Sequence, residues 1–122
     1  NSPYDWRVSQ DSTLWATGAS ANNPCPAGFR VPTSTEWGAV AGAGKAITNS
    51  ATAFSSALKL PVAGTRSSSS ASLYGQGSYG YYWSGSVSDP NALTLYFSGS
   101  SVNPAFSNGR AYGFAVRCLK DF

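Results

Sequence analysis

From Ala92 to Gly99, Leu93, Leu95 and Phe97 alternate with Thr94, Tyr96 and Ser98. A period of two is the signature of a strand lying between unlike environments, so the three apolar residues are expected to face a core and the other three to point outward. A chain with such a strand must supply a second layer to cover the apolar face. The first half contains suitable material. Thr33-Ser34-Thr35-Glu36 matches a capping box, in which the Thr33 hydroxyl covers a free amide of the first turn and Glu36 reaches back to the cap residue. Trp37, Val40 and Ala41 follow at i, i+3, i+4 spacing and Gly42-Ala43-Gly44 breaks the pattern, which predicts a helix over 34–43. Ala51, Phe54, Ala57 and Leu58 predict a second helix over 49–59, stopping before Pro61. The fold class that follows is α+β, with two helices packed on a small, mostly antiparallel sheet and long irregular loops.

The remaining strands are read from shorter signals. Pro24, Pro26 and Pro32 stiffen the segment before the first helix, with Phe29-Arg30-Val31 as a short strand inside it. Leu60 to Gly64 is predicted as an edge strand, the one place where Pro61 fits a sheet. Ser67 to Ser72 is low in complexity, and Gly75, Gly77 and Gly80 make the next loop permissive. Tyr81-Tyr82-Trp83-Ser84 has the propensity of a central strand, with Tyr82 and Trp83 assigned to the core. Phe114, Val116 and Cys118 are expected to repeat the core face in a last strand.

With 122 residues, 42% of them hydrophobic and 14% aromatic, the chain fits one domain, residues 1–122, with a single core. Its charge of +3 comes from basic residues scattered without a run, which argues against nucleic acid as a partner. No apolar stretch is long enough to span a bilayer, so membrane insertion is not expected. The chain has no Met, even at its start, and no basic segment followed by an apolar one. It is therefore expected to be the C-terminal part of a longer protein. There is no His, and Cys25 and Cys118 are not grouped with carboxylates, so neither a metal nor another cofactor is expected. The two cysteines either bridge, closing most of the chain into one loop, or stand as two buried thiols. The bridge is expected, since it would tie the first ordered turn to the last strand.

Charged residues make up only 11% of the chain, and between Arg66 and Arg110 the single one is Asp89. Over 67–112, Tyr74, Tyr79, Tyr81, Tyr96, Phe106 and Tyr112 are spread among Ser, Gly, Asn and Ala, the composition of antibody-type binding surfaces. Asp89-Pro90-Asn91 invites comparison with the Glu-Pro-Asn of calcium-dependent sugar-binding lectins, but calcium needs several oxygen ligands and no carboxylate stands near it in sequence. The loop Gly75-Gln76-Gly77-Ser78-Tyr79-Gly80 precedes no helix and contains no Lys, so it is not read as a phosphate loop.

The run from Asn23 to Trp37, together with Tyr82-Trp83-Ser84, Ala92, Leu95, Phe97, Val102-Asn103-Pro104 and Arg110 to Cys118, resembles the Fibrobacter succinogenes major paralogous domain. That resemblance implies a C-type-lectin-like fold, with residues 1–66 as frame and 67–118 as the variable region of a diversity-generating retroelement. In such systems Asn codons are rewritten by error-prone copying of a template at adenines. An A-A-C codon randomised at its first two letters cannot give Lys, Glu, Gln, Met or Trp. The segment lacks Lys, Glu and Met, while Gln76 and Trp83 depart from the pattern and are read as frame or template positions. The ligand-binding residues so implied are Tyr74, Tyr79, Tyr81, Thr94, Tyr96, Ser98, Ser101, Ala105, Phe106, Ser107 and Tyr112, with Ser67 and Ser70 as further variable positions.

The expected partner is a protein or glycan on a cell surface. Recognition would take place outside the cell, on a virion or a bacterial surface, with several copies displayed together. A structural or adhesive surface module without individual ligand specificity is the alternative. The lectin-like group also has catalytic cousins that generate formylglycine with reactive cysteines. Here Cys25 lies in the Pro-rich frame and Cys118 in the predicted last strand, with no His or paired carboxylate as base, so no catalysis is expected.

Overall fold

A computed structural model describes Asp5 and residues 7–121. The chain is α+β. In order it forms β1 (Phe29–Arg30), α1 (Ser34–Val40), α2 (Ser50–Ser55), β2 (Thr65–Arg66), β3 (Leu73–Tyr74), β4 (Gly80–Ser88), β5 (Asn91–Phe97), β6 (Val102–Asn108) and β7 (Leu119–Lys120). Strands β4, β5 and β6 make an antiparallel sheet with β5 in the middle, and β1–β7 and β2–β3 are separate antiparallel pairs.

Both helices start where a cap dictates and end earlier than the periodicity predicts. The Glu36 amide donates to Thr33 Oγ1 at 3.2 Å, and the Thr33 amide donates to Glu36 Oε2 at 2.8 Å. Helix α1 stops at Val40, not at residue 43, because Ala41 is extended and bridges Ile47. That bridge makes Ile47, fully buried, part of the core. Asn49 and Thr52 form the second capping box, and α2 ends at Ser55 in place of residue 59 because Ser56 is extended. Of the predicted apolar face of α2, only Leu58 packs against the core, from beyond the end of the helix. Ala53 is buried, whereas Ala51, Phe54 and Ala57 are exposed, Phe54 at 61%. In so short a helix the facing is set by its anchors: Ala53 accepts at its carbonyl from the Leu60 amide and the Ser56 hydroxyl.

One sheet face carries Tyr82, Leu95 and Phe97, which form the core with Trp37, Ala41, Ile47, Ala53 and Leu60. Helix α1 lies across all three strands of the sheet. Trp37 donates its indole N–H to the Trp83 carbonyl at 3.4 Å, and the Tyr82 hydroxyl donates to the Pro61 carbonyl at 2.8 Å, so the buried polar tips are satisfied. Leu93, placed with Leu95 and Phe97 by alternation, is only half-buried, because it lies nearer the end of the sheet.

Two predicted strands are not strands. Leu60–Gly64 is irregular: Leu60 enters the core, Val62 accepts from the Gly77 amide, and Gly64 takes a positive φ that ends the extended run before β2. A side chain at Gly64 would meet the Tyr74 carbonyl at 2.5 Å, so that close approach requires glycine. The stretch from Phe114 to Cys118 forms a single bridge at Ala115, which bonds the open side of β4 through Trp83 and Tyr81. Val116 is 41% exposed, Phe114 and Cys118 are half-buried, and the last strand is instead β7, paired with β1.

Cys25 and Cys118 are bridged, with Cα atoms 5.8 Å apart and 93 residues of separation. In the chain-entropy account, closing a loop of that size removes roughly 4 to 5 kcal/mol of unfolded-state freedom. A charged cluster stands at the same junction. Arg30 of β1 donates to Glu36 Oε2 at 2.7 Å and to Asp121 Oδ1 at 3.2 Å, linking the first strand, the helix cap and the segment after β7.

The Arg30 guanidinium, helped by the Thr33 amide and opposed by partial burial, holds the Glu36 carboxyl down from an ordinary 4.5 to about 2. Because the folded pKa is depressed, the stabilisation is complete above pH ~4.5 and is lost as the pH falls through about 2. Thermal denaturation across that window should show the wild type losing melting temperature more steeply than Glu36→Gln. Parallel curves would mean that the pair contributes nothing to stability.

Candidate ligand-binding face

Strand alternation that sends Tyr82, Leu95 and Phe97 into the core sends Tyr81, Trp83, Thr94 and Tyr96 to the other side of the sheet. Tyr81 stands directly opposite Tyr96, and Thr94 lies between Trp83 and Phe106. The rings on this side form one connected series. Tyr96 lies 5.0 Å from Tyr81 and 5.2 Å from Phe106, measured between ring centroids. Toward one end Tyr79 lies 6.1 Å from Tyr96 and stacks on Tyr74 at 6.1 Å. Toward the other, Phe114 stacks on Tyr81 at 4.8 Å and on Tyr112 at 5.5 Å, and meets Trp83 at 4.5 Å.

The loop that brings Tyr79 into the series depends on Gly75. It has φ +73°, and a Cβ there would fall 2.6 Å from the Tyr79 ring. Its carbonyl accepts from the amides of Ser78 and Tyr79, which turns the chain so that the ring reaches Tyr96.

All six aromatic residues proposed from sequence, Tyr74, Tyr79, Tyr81, Tyr96, Phe106 and Tyr112, belong to this series. Tyr74 is 62% and Phe106 37% exposed, and the other four are half-buried. The small residues divide. Ser101, Ala105 and Ser107 are exposed, but Ser107 pairs with Leu93 and so stands on the opposite sheet face from Phe106.

Thr94 and Ser98, predicted to point outward, are buried. Thr94 donates its hydroxyl to the Phe106 carbonyl at 2.9 Å and accepts from Asn108 Nδ2 at 3.0 Å. It spends its polarity inside the sheet, between cross-strand neighbours larger than itself. Ser98 belongs to the β5–β6 turn: its amide donates to the Ser101 carbonyl, its carbonyl accepts from the Ser50 amide at 2.7 Å, and its hydroxyl shares a bond with that of Ser101. Alternation gives the side of the strand correctly but not what covers it.

Phe114 is the residue that sequence reasoning missed. Assigned to the core of a last strand, it is the hub joining Tyr81, Trp83 and Tyr112. Trp83, assigned to the core, is buried, but on this second side of the sheet. The signal available in the sequence was the one-residue spacing of Tyr112 and Phe114, which puts both rings on one side of an extended segment.

The series contains no charged side chain. Burial pushes the Tyr81 hydroxyl above its usual pKa, and the neighbouring phenols of Tyr96, Tyr79, Tyr74 and Tyr112 act in the same direction. Such a surface can offer flat apolar contact and phenolic hydrogen bonds. The Asp89 carboxylate of the Asp-Pro-Asn tripeptide is taken by Ser12 Oγ and Arg110. Among the described residues no group of three His, Cys, Asp or Glu is placed to hold a metal ion, and no helix is long and apolar enough to cross a membrane. Neither a protein-family model nor a curated protein nor a solved structure matches the chain.

Truncation separates surface from core. Tyr96→Ala or Phe106→Ala should cost at most about 1 kcal/mol, the worth of an aromatic pair. Phe97→Ala, fully buried, should cost roughly 3 to 5 kcal/mol. Urea denaturation measures both, and equal losses would make the ring series part of the core.

Proposed function

We propose that this chain is a hypervariable ligand-binding domain of C-type-lectin-like fold, diversified by a retroelement and displayed for recognition of a protein or glycan on a cell surface. The observation that carries the reading is the ring series from Tyr74 to Tyr112. It unites side chains from five separate stretches of the sequence on one side of the sheet, while the hydrophobic core lies on the other. Aromatic residues give contact area at small entropic cost, and the surrounding Ser, Gly and Asn give adaptable hydrogen bonding. The core Tyr82 fixes its hydroxyl on Pro61, whereas among the described residues no such bond holds the hydroxyls of Tyr79, Tyr81 and Tyr96. Those groups remain available to a partner. The disulfide is compatible with an oxidising, extracellular location. A single domain of this kind would bind at micromolar strength and hold firmly through several copies.

The test is in the DNA beside the gene. A second, non-coding repeat of the segment encoding residues 67–118 is expected, identical except at adenines and carrying Asn codons where this chain has Tyr74, Tyr79, Tyr96 and Phe106. If flanking sequence from the source genome contains no such repeat, or if its mismatches fall on codons for Leu95 and Phe97, the retroelement reading fails.

A further inference from the structure

Residues Asp11 to Trp15 belong to no strand or helix, yet they are tied to the sheet. Ser12 donates to Asp89 Oδ1 at 2.6 Å, Gln10 donates to the Pro90 carbonyl at 2.6 Å, and Arg110 bonds both Ser12 and Asp89. Between this segment and the strands lies a cavity of 340 Å³, within the range that holds small ligands. Its apolar wall includes Leu14, Trp15, Trp83 and Tyr112, and its charged wall is Arg66, Arg110 and Asp11.

The polar groups are unevenly satisfied. Arg110 has an 11% exposed side chain whose Nη2 is committed to Asp89, Ser12 and the Asn91 carbonyl. Its Nε is buried without an acceptor. A buried donor on a cation is among the more costly groups to leave unpaired, and an oxygen from a bound molecule would relieve it. Arg66 uses Nη1 on the Ala71 carbonyl at 2.7 Å, and the planar fork has further donors. Asp11 turns Oδ1 to the amide and hydroxyl of Thr13. Asp89 already balances the charge of Arg110, so the guanidinium of this wall that no ion pair uses among the described residues is that of Arg66.

We propose that the cavity binds a six-membered ring bearing a carboxylate, the ring held against Trp15, Trp83 and Tyr112 and the carboxylate received by Arg110 and Arg66. Guanidinium and carboxylate match in charge and in planar geometry, and an aromatic wall suits either a sugar ring or a benzene ring. The carboxylate is the shared chemistry, and it has two sources, an acidic sugar of a surface glycan or a free aromatic acid. The site goes beyond the diversified face and does not rest on it, since Tyr112 is the one residue proposed to vary that lines the cavity.

The test titrates the full chain with glucuronate and with benzoate, each beside its neutral counterpart, methyl glucoside and benzamide, following the indole N–H signals by NMR. Ligands of so few atoms reach a Kd of about 1 mM, so saturable shifts of the cavity tryptophans are expected in that range. At least one acid should bind about tenfold tighter than its neutral counterpart, and the tighter acid identifies the source. Arg66→Gln and Arg110→Gln should each remove that preference, while Tyr96→Ala should leave it intact. If Arg110→Gln fails to fold for loss of its Asp89 and Ser12 contacts, Arg66→Gln, at an exposed side chain, decides. Equal affinity for acid and neutral ligand, no saturable shift with either acid, or binding that survives Arg66→Gln unchanged overturns the proposal.

Discussion

The pairing of β4 with β5 is the constraint on which the rest of the molecule depends. It sets Tyr82 opposite Leu95 and Tyr81 opposite Tyr96. Because neighbours along a strand face opposite ways, one register decision fixes both surfaces of the sheet. Burying Leu95 and Phe97 beneath Trp37 contributes about 1.5 to 3 kcal/mol per side chain, and a one-residue slip would bring Tyr81 and Tyr96 inward in their place. The position of the ring series is thus a consequence of how the core is packed.

The frame achieves this with few charges. Of five acidic residues, Glu36, Asp89 and Asp121 are committed to ion pairs that join distant stretches: β1 to the first helix cap and the last segment, and the β4–β5 turn to Arg110. The disulfide works on the same junction as Arg30. Stability is thereby concentrated in the helices, the core side of the sheet and the tied ends, and among the described residues the ring series takes part in no ion pair.

Legibility in the sequence followed the strength of the local signal. The capping box at Thr33 fixed the start of α1 because it is made by residues adjacent in the chain. The helix ends were misplaced because tertiary bridges such as Ala41 to Ile47 decide them. The facing of α2 was lost for a related reason, a helix of six residues being too short for its periodicity to outweigh its anchors. On the candidate face, the aromatic members were readable from composition and alternation. The burial of Thr94 and Ser98 was not, since it comes from cross-strand neighbours and from a turn bonded to α2. The cavity under Asp11–Trp15 was not readable either, because that segment reaches the sheet through single side-chain bonds with no local pattern.

On this reading the core side of the sheet specifies the fold while the ring side can be exchanged. Protease resistance of a displayed library, randomised together at Tyr74, Tyr79, Tyr96 and Phe106, tests it most directly, beside a second library randomised at Trp37, Tyr82, Leu95 and Phe97. Most members of the first library should resist cleavage as the parent does, and very few of the second. Survival in the first library restricted to aromatic residues at those four positions would contradict the account, since the rings would then be holding the fold together.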